Sequence, residues 1–127
     1  FMQYFPDRFY DLGMLSPENM PSFYQSVDYI ILPSYREGLP TVLIEAMMMG
    51  IPCLASSVRG CRELVSRSSS SLLFNPKSVI SILNCLELVS AFHVFRPSLS
   101  RSAVNAVMPS FSTHKILPLY PLLFVSD

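Results

Sequence analysis

Residues 30–50 constrain the fold more than any other part of the chain. Ile30-Ile31-Leu32 is a short apolar run ending at Pro33, which reads as a buried strand. Residues 34–38 are polar and end in a glycine, so the chain turns there, and Pro40 suits the first turn of a helix, where its missing N–H costs nothing. From Thr41 to Met49 every residue but Glu45 is apolar or nearly so, and Gly50 supplies a C-terminal stop. A helix apolar all round is buried. A carboxylate inside it must find hydrogen-bond donors or a partner charge. Glu45 therefore needs a specific partner, and with Glu37 in the turn it brackets the helix start.

The rest of the chain repeats this alternation. Residues 9–12, closed by Gly13, predict a first strand. Ser16-Pro17-Glu18 opens a helix to about Ser26, with a capping serine, an early proline and Met20, Phe23, Tyr24 and Val27 on one side. Strands are expected over 29–32, 52–55 and 72–74, with the helix 40–49 and a helical turn over 62–65 between them. Val79, Ile80, Leu83, Leu86 and Val89 then fall at helix spacing; a further helix is expected over 98–108, and a last one after the Ser110–Thr113 cap. The serine run 66–71 reads as a surface loop. Strands alternating with helices make an α/β fold, a parallel sheet with helices on its faces and a helical C-terminal tail. Such a sheet normally has roughly five or six strands. About four are expected here, which predicts a piece of a larger protein.

Composition narrows the function. At 127 residues the chain fits one domain; half of it is hydrophobic and 14% charged, which excludes disorder. Nine basic and nine acidic residues cancel, so a nucleic-acid surface is not expected, although backbone amides can still bind phosphate locally. Cys53, Cys61 and Cys85 form no CxxC pair, which points to a reducing cytoplasm, and His93 and His114 stand too far apart to suggest a metal site. The apolar run 116–125 is too short to span a bilayer and holds Pro118 and Pro121, so no transmembrane segment is expected.

In open parallel sheets ligands bind beyond the carboxyl ends of the strands. The loop 34–38 would lie there, with the amides near Leu39, Thr41 and Val42 pointing unpaired N–H groups at the crevice, a ready site for a diphosphate. Gly38 permits close backbone approach. Glu45, about a turn further in, would accept hydrogen bonds from a sugar's vicinal hydroxyls. Taken singly, Glu37 reads as a loop carboxylate and Glu45 as a glutamate on a helix edge. Arg59, Arg62 and Glu63 read as caps or pairs around a short helix, and Met47, Met48 and Met49 as core packing.

The ordered set Pro33-Ser34-x-x-Glu37-Gly38-Leu39-Pro40-x-x-x-x-Glu45-Ala46-Met47-x-x-Gly50-x-Pro52 resembles the E-x7-E signature of retaining GT-B glycosyltransferases, glycosyltransferase family four or "group 1". Arg59-Gly60-x-Arg62-Glu63-Leu64 is similar to the exopolysaccharide and capsule variant. Leu12-Gly13, Met20, Tyr24 and Asp28 match the segment before the signature, and Leu72-Leu73-Phe74-Asn75-Pro76 a landmark after it. The resemblance implies that residues 1–127 are the latter part of a Rossmann-like, nucleotide-sugar-binding C-terminal domain whose acceptor domain lies outside them. It implies transfer of a sugar from a donor such as a UDP-sugar to a glycan or lipid-linked sugar, with retention, in polysaccharide biosynthesis. Glu37 would be the catalytic contact to the donor sugar and Glu45 would hold the ribose. Gly38, Leu39, Thr41 and Val42 would supply amides to the diphosphate or sugar. No cofactor is implied, and with no Asp-x-Asp pair no metal-bridged diphosphate is expected. The setting would be cytoplasmic, or membrane-peripheral for the full-length protein. The alternative is a non-catalytic remnant that folds and binds nucleotide but transfers nothing.

Overall fold

The computed structural model describes residues 8–69, 71–91 and 96–107. Three strands, β1 (Ile30–Leu32), β2 (Cys53–Ser56) and β3 (Leu72–Phe74), form a parallel sheet in the order β1-β2-β3. Ile30 lies opposite Cys53, and Leu54 opposite Leu72. Five helices accompany them: α1 (Met20–Ser26), α2 (Thr41–Met48), α3 (Arg59–Val65), α4 (Val79–Ala91) and α5 (Arg96–Val107). The alternating α/β order and parallel pairing are those expected from the sequence.

Alternation along β2 sorts the core onto the two faces of the sheet. Cys53 and Ala55 join Tyr24 of α1, Leu43, Ala46 and Met47 of α2, Cys61 and Leu64 of α3, and Ala103 and Val107 of α5. Leu54 packs with Phe74 and with Cys85 and Val89 of α4 on the other face. All four β2 residues are buried. A central parallel strand covered on both faces has this pattern. The Tyr29 hydroxyl donates to the Val89 carbonyl at 2.9 Å, tying α4 to the edge of β1.

Gly50 ends α2 as expected. Its φ is 74°, and the Ile51 and Gly50 N–H groups donate to the carbonyls of Ala46 (2.8 Å) and Met47 (3.0 Å). This double closure is the Schellman motif, which needs a left-handed residue at its centre.

Several expectations are corrected. Residues 9–12 form no strand, leaving three strands among the described residues where about four were expected. Phe9, Tyr10 and Leu12 are all exposed, so no core face holds them in a ladder. The first helix divides into a 3-10 turn (Pro17–Asn19) and α1, and Ser16 makes no side-chain cap to it. Instead the Ser16 hydroxyl accepts from Asn19 Nδ2 at 3.2 Å. The third helix begins earlier than expected, at Arg59. The serine run is more than a surface loop: Ser68 and Ser71 are buried, and Ser71 Oγ accepts the Cys53 N–H at 3.0 Å, anchoring the start of β2. The helix expected after Ser110 lies outside the described residues.

Candidate functional site

Because the three strands are parallel, their carboxyl ends share one edge of the sheet, and the loop from Pro33 to Pro40 leaves β1 at that edge. Pro40 is the N-cap of α2. Its carbonyl accepts from the Leu43 (3.0 Å) and Ile44 (3.3 Å) amides, and no side chain caps this helix end. The Thr41 and Val42 amides precede those two donors, at the positive end of the helix dipole. Gly38, Thr41, Leu39 and Val42 are exposed, the last two as large apolar side chains left in solvent.

Gly38 is a glycine without an internal reason. It is not among the described glycines with positive φ, and a Cβ built on it would meet nothing within 4 Å. Open space beside the backbone at a helix start leaves room for a ligand to approach.

Glu45 lies on α2 between fully buried neighbours, yet is itself only half-buried. Its Oε2 accepts a hydrogen bond of 2.9 Å from the Tyr24 hydroxyl, and the Tyr24 side chain is fully buried. The expected donor is therefore a phenol from α1, 21 positions away. The expectation of a buried carboxylate is corrected to a half-buried one, held at one oxygen by a buried phenol.

Glu37 is half-buried in the loop. The carbonyls of Glu37 and Gly38 rest on the first turn of α3, against Gly60. Burial, and to a lesser degree the nearby Glu37 carboxylate, push the Cys61 thiol up. Gly60 and Tyr24, which touch Gly38 and Glu45, had no role assigned from the sequence. Tyr24 stood at an ordinary core position of α1, and Gly60 inside a motif read as structural. Of its neighbours, Arg59 Nε and Glu63 Oε1 form an exposed pair at 3.3 Å, one of the pairings expected around this helix.

No cluster of three metal-ligating side chains occurs among the described residues, and no described helix is long and apolar enough to cross a membrane. Cys53, Cys61 and Cys85 are free and buried.

Comparison with known proteins places this chain in a family. The chain is 28% identical over 97 residues to the UDP-Gal:alpha-D-GlcNAc-diphosphoundecaprenol alpha-1,3-galactosyltransferase of Escherichia coli, covering 76% of this chain and 25% of that protein. It is 33% identical over 87 residues to the GalNAc-alpha-(1->4)-GalNAc-alpha-(1->3)-diNAcBac-PP-undecaprenol alpha-1,4-N-acetyl-D-galactosaminyltransferase of Campylobacter jejuni, covering 68% and 24% respectively. Among solved structures, sucrose-phosphate synthase from Thermosynechococcus elongatus superposes with a TM-score of 0.80 at 26% identity, over 99% of this chain and 33% of that one. The chain thus spans about a quarter of the length of the curated relatives it matches. The model of the family described as "Glycosyl transferases group 1" matches residues 6–91. On that match, over more than half its length, this chain belongs to the group 1 glycosyltransferases and is part of a GT-B C-terminal domain.

Proposed function

We propose that the carboxyl edge of β1 and the start of α2 bind the nucleotide-sugar donor of a retaining glycosyltransferase acting in glycan or lipid-linked sugar biosynthesis. The observation that carries this reading is Glu45, a half-buried carboxylate in an otherwise apolar helix, hydrogen-bonded by the fully buried Tyr24 hydroxyl. Holding a charge there has a desolvation cost that a solely structural helix avoids by using an apolar residue. Beside it the uncapped helix start offers the Thr41 and Val42 amides, and Gly38 leaves the approach open.

The chemistry follows from that division. The diphosphate suits the amides, where the helix dipole favours negative charge. The ribose hydroxyls suit Glu45, an acceptor set back from the diphosphate. Glu37 faces the donor sugar and accepts from its hydroxyls. Transfer breaks the bond between the anomeric carbon and the diphosphate oxygen. The acceptor hydroxyl then bonds to that carbon from the same face, and its proton leaves with the diphosphate. Charge develops on the departing oxygen, and fixed amides stabilise it without reorganising. The family match and the relatives named for a UDP-sugar donor and undecaprenol-linked acceptors support these assignments.

Calorimetric titration with UDP and UDP-sugars, followed by a transfer assay on an undecaprenyl-diphosphate-linked sugar, tests the reading. Binding is expected, with Glu45→Ala weakening it and Glu37→Ala lowering turnover more than affinity. Binding without transfer reduces the function to nucleotide recognition, and no binding of any nucleotide removes the proposal.

A further inference from the structure

The loop that carries Glu37 and Gly38 has a seat, and the seat is a single glycine. Gly60 occupies the first turn of α3 and is buried. A Cβ placed on it would lie 2.8 Å from the Glu37 carbonyl oxygen, 3.0 Å from the Gly38 carbonyl carbon, and closer still to the Gly38 carbonyl oxygen. All three are backbone atoms, so no side-chain rotation relieves the overlap. Gly60 is not among the described glycines with positive φ, so its conformation does not call for glycine. Helix propensity argues the other way, favouring alanine by about 1 kcal/mol. What selects glycine here is the contact with the loop.

We infer that Gly60 is a positioning residue for the donor site, setting how deeply Glu37 and Gly38 sit against α3 and so where their carboxylate and amide meet the sugar diphosphate. The inference rests on the donor-site reading given above. Glu37 follows β1 and Gly60 follows β2, so this contact fastens together the loops of two adjacent strands at the edge where the donor binds. With a side chain at Gly60 the loop must lift by a few tenths of an ångström or more. A site built from hydrogen bonds loses alignment over such distances.

Gly60→Ala tests this beside Arg62→Ala, an exposed change on the same helix that leaves the contact intact. Amide resonances, far-UV circular dichroism and the dissociation constant for a UDP-sugar are measured for each at a temperature where both are folded. Gly60→Ala is expected to shift the Glu37 and Gly38 resonances without ligand and to weaken binding by about tenfold or more, with Arg62→Ala within twofold of the unaltered protein. A generally loosened but correctly seated loop leaves affinity unchanged once the protein is folded, so affinity separates positioning from stability. Unmoved Glu37 and Gly38 resonances with affinity within twofold overturn the role of Gly60 alone. Absence of binding by the unaltered protein overturns the donor site itself, and this inference with it. If Gly60→Ala does not fold, the unaltered protein decides: a UDP-sugar titration should move the Gly60 amide together with that of Gly38, and a stationary Gly60 amide refutes the coupling.

Discussion

Replacing Tyr24 by Phe removes one oxygen from a fully buried ring and leaves the core around it filled. It removes the 2.9 Å hydrogen bond to Glu45 Oε2. A hydrogen bond to a charged group contributes about 1.5–3 kcal/mol. Glu45 is only half-buried, so water partly replaces the phenol and the expected loss lies at or just below the low end, about 1–1.5 kcal/mol. That corresponds to roughly a tenfold fall in the folded-to-unfolded ratio. Urea unfolding of the unaltered protein, Tyr24→Phe, Glu45→Ala and the double variant isolates the pair, since both side chains meet in one contact. The cycle should return a coupling of about 1 kcal/mol with unchanged denaturant slopes. The same substitution frees the Glu45 head, so UDP-sugar affinity should fall severalfold even where the variant is fully folded. A coupling below about 0.3 kcal/mol, within ordinary additivity, refutes the argument that Tyr24 holds the carboxylate in place.

Three further outcomes follow from other parts of the fold. Gly50→Ala places a Cβ at a φ of 74° in the Schellman turn and should lower unfolding free energy by about 1 kcal/mol by urea titration. Ser56 is fully buried and its Oγ has no hydrogen-bond partner among the described residues, so Ser56→Ala should be neutral or raise the melting temperature; a loss above about 1 kcal/mol reveals a partner instead. Burial pushes the Cys53 thiol from 9.0 up to about 12. The unfolded chain therefore loses this proton first as pH rises above 9, and stability should fall between pH 9 and 11 by at most about 1.4 kcal/mol per pH unit. Urea midpoints at pH 8, 9.5 and 11 should show a shallower decline in Cys53→Ala.

Much of this fold was legible because its elements carry local signals. Ile30–Leu32, the apolar helix and Gly50 define a strand, a helix and its stop from residue type alone, and the structure matches them within a residue or two. Two of the failures share a cause, the dominance of tertiary contact over local pattern. Residues 9–12 are mostly apolar, as a short strand would be, but have no core face to bury. The serines after Val65 look solvated, yet Ser71 is drawn inward because the start of β2 needs an acceptor for the Cys53 amide. At the candidate site, Glu37, Gly38 and Glu45 stood out as polar or flexible residues in an apolar setting. Tyr24 and Gly60 did not, because each acts on a residue more than twenty positions away, a relation that exists only once α1, α2 and α3 have packed.

The most direct measurement is a titration of the isotopically labelled protein with a UDP-sugar, followed at every backbone amide. Donor binding at the start of α2 predicts saturable shifts at Gly38, Leu39, Thr41 and Val42, with Glu45→Ala weakening the response. Shifts confined to other parts of the chain, or an Ala variant that binds as tightly as the unaltered protein, contradict it.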